Sequence, residues 1–191
     1  SDEYRDGRAD SLNRWSERIG GGMAAKFGAA ALFPFGGPPY RPFLRWAKKA
    51  EALRNSQIGM LMHPRFGLWH AYRFALAFAE AVDGVPPSEV GADLCAACAP
   101  KPCLSACPVG AFSARGYDVQ SCFRYLEANP DSRCMAEGCQ ARVACPQGAE
   151  HRYQRDHAAF HMRAFVVSMA AQEFPENPHV AARDGAATHR K

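Results

Sequence analysis

Cysteine is missing from the first 94 residues and from the 46 that follow Cys145, which confines all thiol chemistry to one stretch of 51 residues. Long apolar runs are missing as well. The best of them, residues 23–35, is interrupted by Lys26, Gly28 and Pro34, whereas a membrane span needs about 20 apolar residues, so no spanning helix is expected. No secretory h-region is visible, and the cytoplasm, where thiols stay reduced, is the expected compartment. Gly20, Gly21 and Gly22 are not followed by the GK[ST] of a phosphate loop and fit no GxGxxG frame after a strand, so they read as a joint that ends a helix. His157 and His161 stand four apart, as helical metal ligands do, but the glutamate of HExxH is absent, which excludes that class of hydrolase.

What is present is a dense pattern of thiols. Cys95, Cys98, Cys103, Cys107 and Pro108 spell CxxCxxxxCxxxCP; Cys122 follows, and then Cys134, Cys139, Cys145 and Pro146 spell CxxxxCxxxxxCP. Both halves end alike, in Cys-Pro-Val-Gly-Ala at 107–111 and Cys-Pro-Gln-Gly-Ala at 145–149, the mark of a diverged duplication. Eight thiolates in two sets of four meet the need of two 4Fe–4S clusters, and the CP ending resembles the bacterial ferredoxin signature. In that arrangement the CP cysteine of each motif ligates the other cluster. The resemblance therefore implies Cys95, Cys98, Cys103 and Cys145 on cluster 1, and Cys107, Cys122, Cys134 and Cys139 on cluster 2. Gly110 and Gly148 are expected to let the backbone pass close to the inorganic cores, and Leu94, Val109 and Phe112 to keep water off them.

Other readings of the same thiols stay open. Disulfides need an oxidising compartment, and CxxC spacing suits metal better in a chain of this size. Structural zinc also uses CxxC pairs, although zinc ribbons carry two matched knuckles where this chain has one CxxC. Unligated buried thiols are the third possibility. The formal charge of +4 counts every thiol as neutral; an oxidised core with four thiolates carries roughly −2, so two clusters bring the protein near zero and remove the case for a nucleic-acid partner. The remaining positive excess is local. Residues 1–60 hold ten Lys and Arg against six acids, while residues 91–145 balance five against five, so a redox partner protein held by charge would dock on the N-terminal part.

In chain order, Asp10 or Ser11 is expected to cap a helix carrying Leu12, Trp15 and Ile19. Residues 33–42, FPFGGPPYRP, read as a loop whose aromatics pack on the body. An amphipathic helix is expected over 42–54, with Phe43, Trp46, Ala47, Ala50 and Leu53 inward and Arg45, Lys48, Lys49 and Arg54 outward. The run IGMLMHPRFG reads as a strand and turn, and residues 68–82 as a second helix. Asp118 is expected to cap a helix over 117–127 that presents Cys122, and a helix over 156–172, buried on much of its circumference, to pack beneath the cysteine module. The whole reads as one composite domain: a helical region 1–90, a two-cluster module 91–150, a packing helix 151–174 and a flexible tail 175–191. The expected class is mainly α (α+β), a helical wrapper around a bacterial-ferredoxin-like two-cluster module.

The runs CAACAPKPCLSACPVGAF, SCFRYLE and GCQARVACPQG, with IGMLMHPRFGLWHAYRFAL upstream, resemble the iron–sulfur portion of the epoxyqueuosine reductases, relatives of the reductive dehalogenases that use cobalamin and two 4Fe–4S clusters. The likeness covers roughly residues 56–150. Three departures stand out. Four residues separate Cys98 from Cys103 where the family has two; Arg142 stands where a cysteine is expected, with Cys134 as the replacement; and only 94 residues precede Cys95, too few for a whole cobalamin domain. Met60 and Leu61 occupy positions where the family has lysine and asparagine. The resemblance thus implies the cluster module and argues against cobalamin. Electron transfer through two 4Fe–4S clusters, as a soluble carrier or subunit, is the expected function. A reduced cobalamin-reductase-related enzyme acting on a nucleoside or small organic substrate, or a zinc-stabilised interaction protein, are the alternatives.

Overall fold

The N-terminal part folds because charge and glycine act at defined points. The computed structural model describes residues 1–84 and 91–172; the expected tail 175–191 lies outside them. A short helix α1 (Asp2–Arg5) is tied to α2 (Ser11–Phe27) by Arg18 on Glu3, 2.5 Å, and Arg14 on Asp6, 2.7 Å. Asp10 enters α2 in the left-handed region, φ 55°, and its side chain does not cap the helix. Contrary to expectation, α2 runs through Gly20–Gly22 and stops at Gly28, whose φ of 63° closes the helix by bonding back to the Ala24 carbonyl. Each helical glycine costs about 1 kcal/mol against alanine. At Gly20 the missing methyl is used for packing, since a Cβ there would meet the Phe74 and Phe33 rings at 3.0 and 3.1 Å.

Strand β1 (Ala30–Leu32) follows, and then the proline-rich loop. Phe33 and Phe35 stack at 5.3 Å and face the body, but Tyr40 is exposed. Helix α3 (Phe43–Ala50) is shorter than expected: Glu51 is already extended, and Ala50 is exposed, while Phe43 and Ala47 are buried. Leu53 is buried beyond the helix. The chain then forms a hairpin of β2 (Arg54–Asn55) and β3 (Leu61–Met62), continued by a bridge between His63 and Gly67.

The expected helix over 68–82 does not form. Residues 69–74 run extended into β4 (Ala75–Ala77), which pairs antiparallel with β1, Ala30 opposite Ala77 and Leu32 opposite Ala75. The alanine-rich stretch has helical propensity, yet an open strand edge 45 residues earlier in the chain overrides it. Partners across the structure hold the extended run: Arg73 bonds Ser16 and Asn13 of α2, Tyr72 donates to Glu51, and the Leu68 carbonyl accepts from Arg142.

The cysteine module is a chain of short elements. They are α4 (Pro102–Ser105), the hairpin β5 (Phe112–Ser113) with β6 (Gly116–Tyr117), α5 (Val119–Ala128), α6 (Arg133–Glu137) and α7 (Gln140–Val143). Asp118 caps α5 as expected, accepting from the Ser121 N–H at 3.0 Å. Helix α8 (Arg155–Ala170) packs against α6 and α5, with Ala158 fitted over Gly138. It buries Ala158, Ala159 and Met169, whereas Val167 is exposed, so the wide burial expected of it holds only in part.

Helix exceeds strand, 43% to 10%, making the fold α+β with small two-stranded sheets. The core that joins the two halves is Ile58, Met62, Leu68, Ala141 and Cys145, with Met60, Leu94, Leu104 and Phe112 packed against it. The cover over the cysteines is thus the β2–β3 hairpin and not a helix. No helix among the described residues is long and apolar enough to cross a membrane.

Candidate metal centre

All eight cysteines are free thiols, Cys134 and Cys145 buried and the others half-buried. Their neighbours sort them into two quartets. Cys95 and Cys98 sit in a turn that Asp93 stabilises by accepting the Ala96 N–H at 2.9 Å. Cys103 lies on α4, started by Pro102 after Lys101 takes a left-handed φ of 39°. Cys145 leaves α7 and arrives opposite them. These four line one small cavity together with Met62, Leu94, Pro102 and Pro146. Electrostatically, Cys103 senses Cys145, Cys95 and Cys98, and Cys145 senses Cys95 and Cys98.

The second quartet is Cys107, Cys122, Cys134 and Cys139. Cys122 senses Cys107 and Cys134; Cys134 senses Cys107; Cys139 senses Cys134 and Cys122. Every thiol–thiol influence resolved here stays inside its own quartet. Helix position explains the convergence: Cys122 projects from the first turn of α5, Cys134 from α6, and Cys139 is the residue that begins α7.

Hydrogen-bond donors are directed at these sulfurs. The Ala111 N–H donates to Cys107 Sγ at 3.3 Å. Backbone N–H groups of Gln140 act on Cys134, of Ala141 and Arg142 on Cys139, and of Gln147 on Cys145. The Tyr117 hydroxyl acts on Cys122, its ring stacked flat on Phe112 at 4.8 Å. Without metal, burial outweighs these donors. It pushes the thiols of Cys103, Cys122, Cys134 and Cys145 up, and that of Cys139 up to about 11. Burial likewise pushes the Tyr117 phenol up. Ligation therefore has to displace protons from neutral thiols.

The chain matches no known protein family, characterised protein or solved structure. The site has to be argued from its own geometry. Among the described residues no group of three or more His, Cys, Asp or Glu converges as a single-ion site. The first quartet lines one cavity of about 20 Å³.

The backbone of Gly148, φ 66°, lies against Phe66 and Gly67, and Gly67, φ 57°, lies against Gln147 so closely that neither position has room for a methyl. The turn after His63 and the turn after Cys145 are therefore clamped backbone to backbone. Val109 is exposed and shields nothing, while Leu94 and Phe112 do pack on the core.

Reading the sequence alone misses Tyr117, Met60 and Met62 as neighbours of the thiols, and no local signal marks them. Arg142 was visible as a departure from the reductase pattern. Its guanidinium donates through Nε and Nη2 to the Leu68 carbonyl, 3.1 and 2.6 Å, and lies over the rings of Trp69 and Tyr153, 4.4 and 4.6 Å. His157 and His161 face each other with their Nε2 atoms 3.0 Å apart.

Proposed function

We propose that this protein transfers electrons through two 4Fe–4S clusters, one in each quartet, and is a carrier or subunit serving a redox partner protein. The observation that carries the reading is the sorting of eight thiols into two sets of four, with the CP cysteines Cys107 and Cys145 exchanged between the sequence halves. The donor set suits the group: thiols only, N–H groups directed at sulfur, and an apolar cover from Met60, Met62, Leu94 and Phe112. Zinc holds its sulfurs at about 2.3 Å around a single ion; the paired CP endings favour a 4Fe–4S core in each quartet.

When bound, each cluster supplies one-electron chemistry whose potential depends on hydrogen bonds to sulfur and on solvent exposure. The residues set that dependence. In the second quartet Ala111, Gln140, Ala141, Arg142 and the Tyr117 hydroxyl all offset negative charge on sulfur. In the first quartet the Gln147 N–H and the Arg152 cation act on Cys145, and Met62, Leu94, Lys101 and prolines line the wall.

Anaerobic reconstitution followed by iron and sulfide analysis and EPR of the reduced protein tests this. About eight irons per chain are expected, and about four in Cys145→Ala, which removes a ligand of the first quartet. Fewer than about four irons in the unsubstituted protein, or zinc with no reducible chromophore, refutes it.

A further inference from the structure

Beside the cysteine module, α2, the extended run 69–74 and the start of α8 enclose a cavity of about 560 Å³, within the size range of small-molecule sites. It shares no residue with either quartet. Its walls are largely aromatic, with Trp15 from one side and His157 and Phe160 from the other. The imidazole of His157 is held rigid: it stacks on Tyr153 at 4.1 Å and 19°, and Tyr153 in turn backs onto the Arg142 guanidinium.

The charge of this cavity is unusual. Arg73, half-buried, donates from Nε to Ser16 Oγ at 3.1 Å and from Nη2 to Asn13 Oδ1 at 2.6 Å. Both partners are neutral, and among the described residues no carboxylate pairs with Arg73 and nothing bonds its Nη1. Among the described residues no carboxylate pairs with Arg142 behind the wall either; its Nε and Nη2 donate to the Leu68 carbonyl. A guanidinium does not shed its proton, so Arg73 is a fixed cation on the wall of the cavity, with Arg142 behind Tyr153. Burial, the neighbouring His157, Arg142 and Arg73 push His161 down to about 4, and burial and Arg142 push His157 down. Asp156, exposed at the rim, is the one carboxylate among the lining residues.

We propose that this cavity is a binding site for a planar aromatic molecule bearing an anionic group, its ring against Trp15 and His157 and its anion on the open edge of the Arg73 guanidinium. Aromatic walls supply stacking and apolar contact, and an arginine already oriented by two neutral acceptors is ready for a charge-assisted bond without reorganising. The site stands whichever metal the cysteines hold.

Two charged probes, each with a neutral counterpart of the same ring, test it on the full chain: flavin mononucleotide against riboflavin, and anthraquinone-2-carboxylate against its carboxamide. Calorimetric titration is expected to show at least one charged probe saturating below about 1 mM and binding about tenfold or more tighter than its neutral counterpart. Trp15 emission is expected to quench with the same midpoint, a signal lost in Trp15→Phe. Arg73→Gln is expected to abolish the preference for charge and Arg73→Lys to keep part of it, with circular dichroism checking that both variants fold. The comparison of charged with neutral probe in unsubstituted protein decides the matter even if neither variant folds. Failure of both charged probes to saturate, equal binding of the neutral partners, or binding that leaves Trp15 emission unchanged overturns the proposal.

Discussion

Arg142 joins the cysteine module to the chain at Leu68, and its role in the fold can be measured. Truncation in Arg142→Ala removes two charge-assisted hydrogen bonds to the Leu68 carbonyl, 3.1 and 2.6 Å, and leaves that acceptor unpaired in a half-buried setting. The pair sharing one carbonyl contributes about 2 kcal/mol. The guanidinium also lies over two rings, Trp69 and Tyr153, at 4.4 and 4.6 Å, contributing about 1 kcal/mol each at partly buried sites. Ordering the long side chain opposes this by about 1–2 kcal/mol. The net loss on truncation is about 2–3 kcal/mol, which for a chain of this size lowers the thermal midpoint by about 4–12 °C. Arg142→Lys keeps a cation but not the planar fork and is expected to lose about half as much. Anaerobic thermal scans of the reconstituted protein, followed by far-UV circular dichroism at one scan rate, make the comparison. A shift below about 3 °C for Arg142→Ala would place this residue with ordinary surface arginines and refute the reasoning.

Three further outcomes follow from particular contacts. Tyr117→Phe deletes the hydroxyl that acts on Cys122 and is expected to lower the potential of the second cluster by up to about 40 mV, the one-electron equivalent of a hydrogen bond of about 1 kcal/mol; redox titration by EPR that shows only the first cluster moving contradicts the ligand assignment. Gly67→Ala places a methyl against the Gln147 backbone at a φ of 57° and is expected to cost more than about 2 kcal/mol and to reduce iron content, whereas Gly116→Ala, with φ 114° but open space, carries backbone strain alone; equal stability of the two variants rules out the clamp. Burial and the neighbouring His157 hold His161 down to about 4, while an unfolded histidine titrates near 6.5. The unfolded chain therefore binds more protons between those values, so stability is fully present above about pH 6.5 and falls as pH drops toward 4. Urea midpoints across that range are expected to fall less steeply in His161→Gln, and an unchanged slope would show that His161 is not buried in its neutral form.

The cysteine module was the most legible part. The two CPxGA endings and the confinement of all eight thiols to 51 residues were readable because a repeated motif is carried in local spacing. The cap at Asp118 and the helix presenting Cys122 were readable for the same reason: each depends on residues within four positions. The grouping of Cys134 and Cys139 with Cys107 came from the ferredoxin resemblance; in the structure Cys134 is a neighbour of Cys107, and Cys139 of Cys134 and Cys122.

Tertiary structure alone decided the rest. Residues 68–82 have helical spacing, yet 75–77 form a strand because β1, far away in sequence, presents an unpaired edge. The glycines at 20–22 read as a stop, yet α2 passes through them because the Phe33 and Phe74 rings require a surface without a methyl at Gly20. The hairpin that covers the thiols, the clamp between Gly67 and Gly148, and the bonds of Arg73 to Ser16 and Asn13 all join segments more than 30 residues apart. Sequence determined which atoms were available to hold a metal, since that depends on residue type and short spacing. Only the fold decided what surrounds those atoms, since burial, unpaired charge and backbone contact arise where distant segments meet.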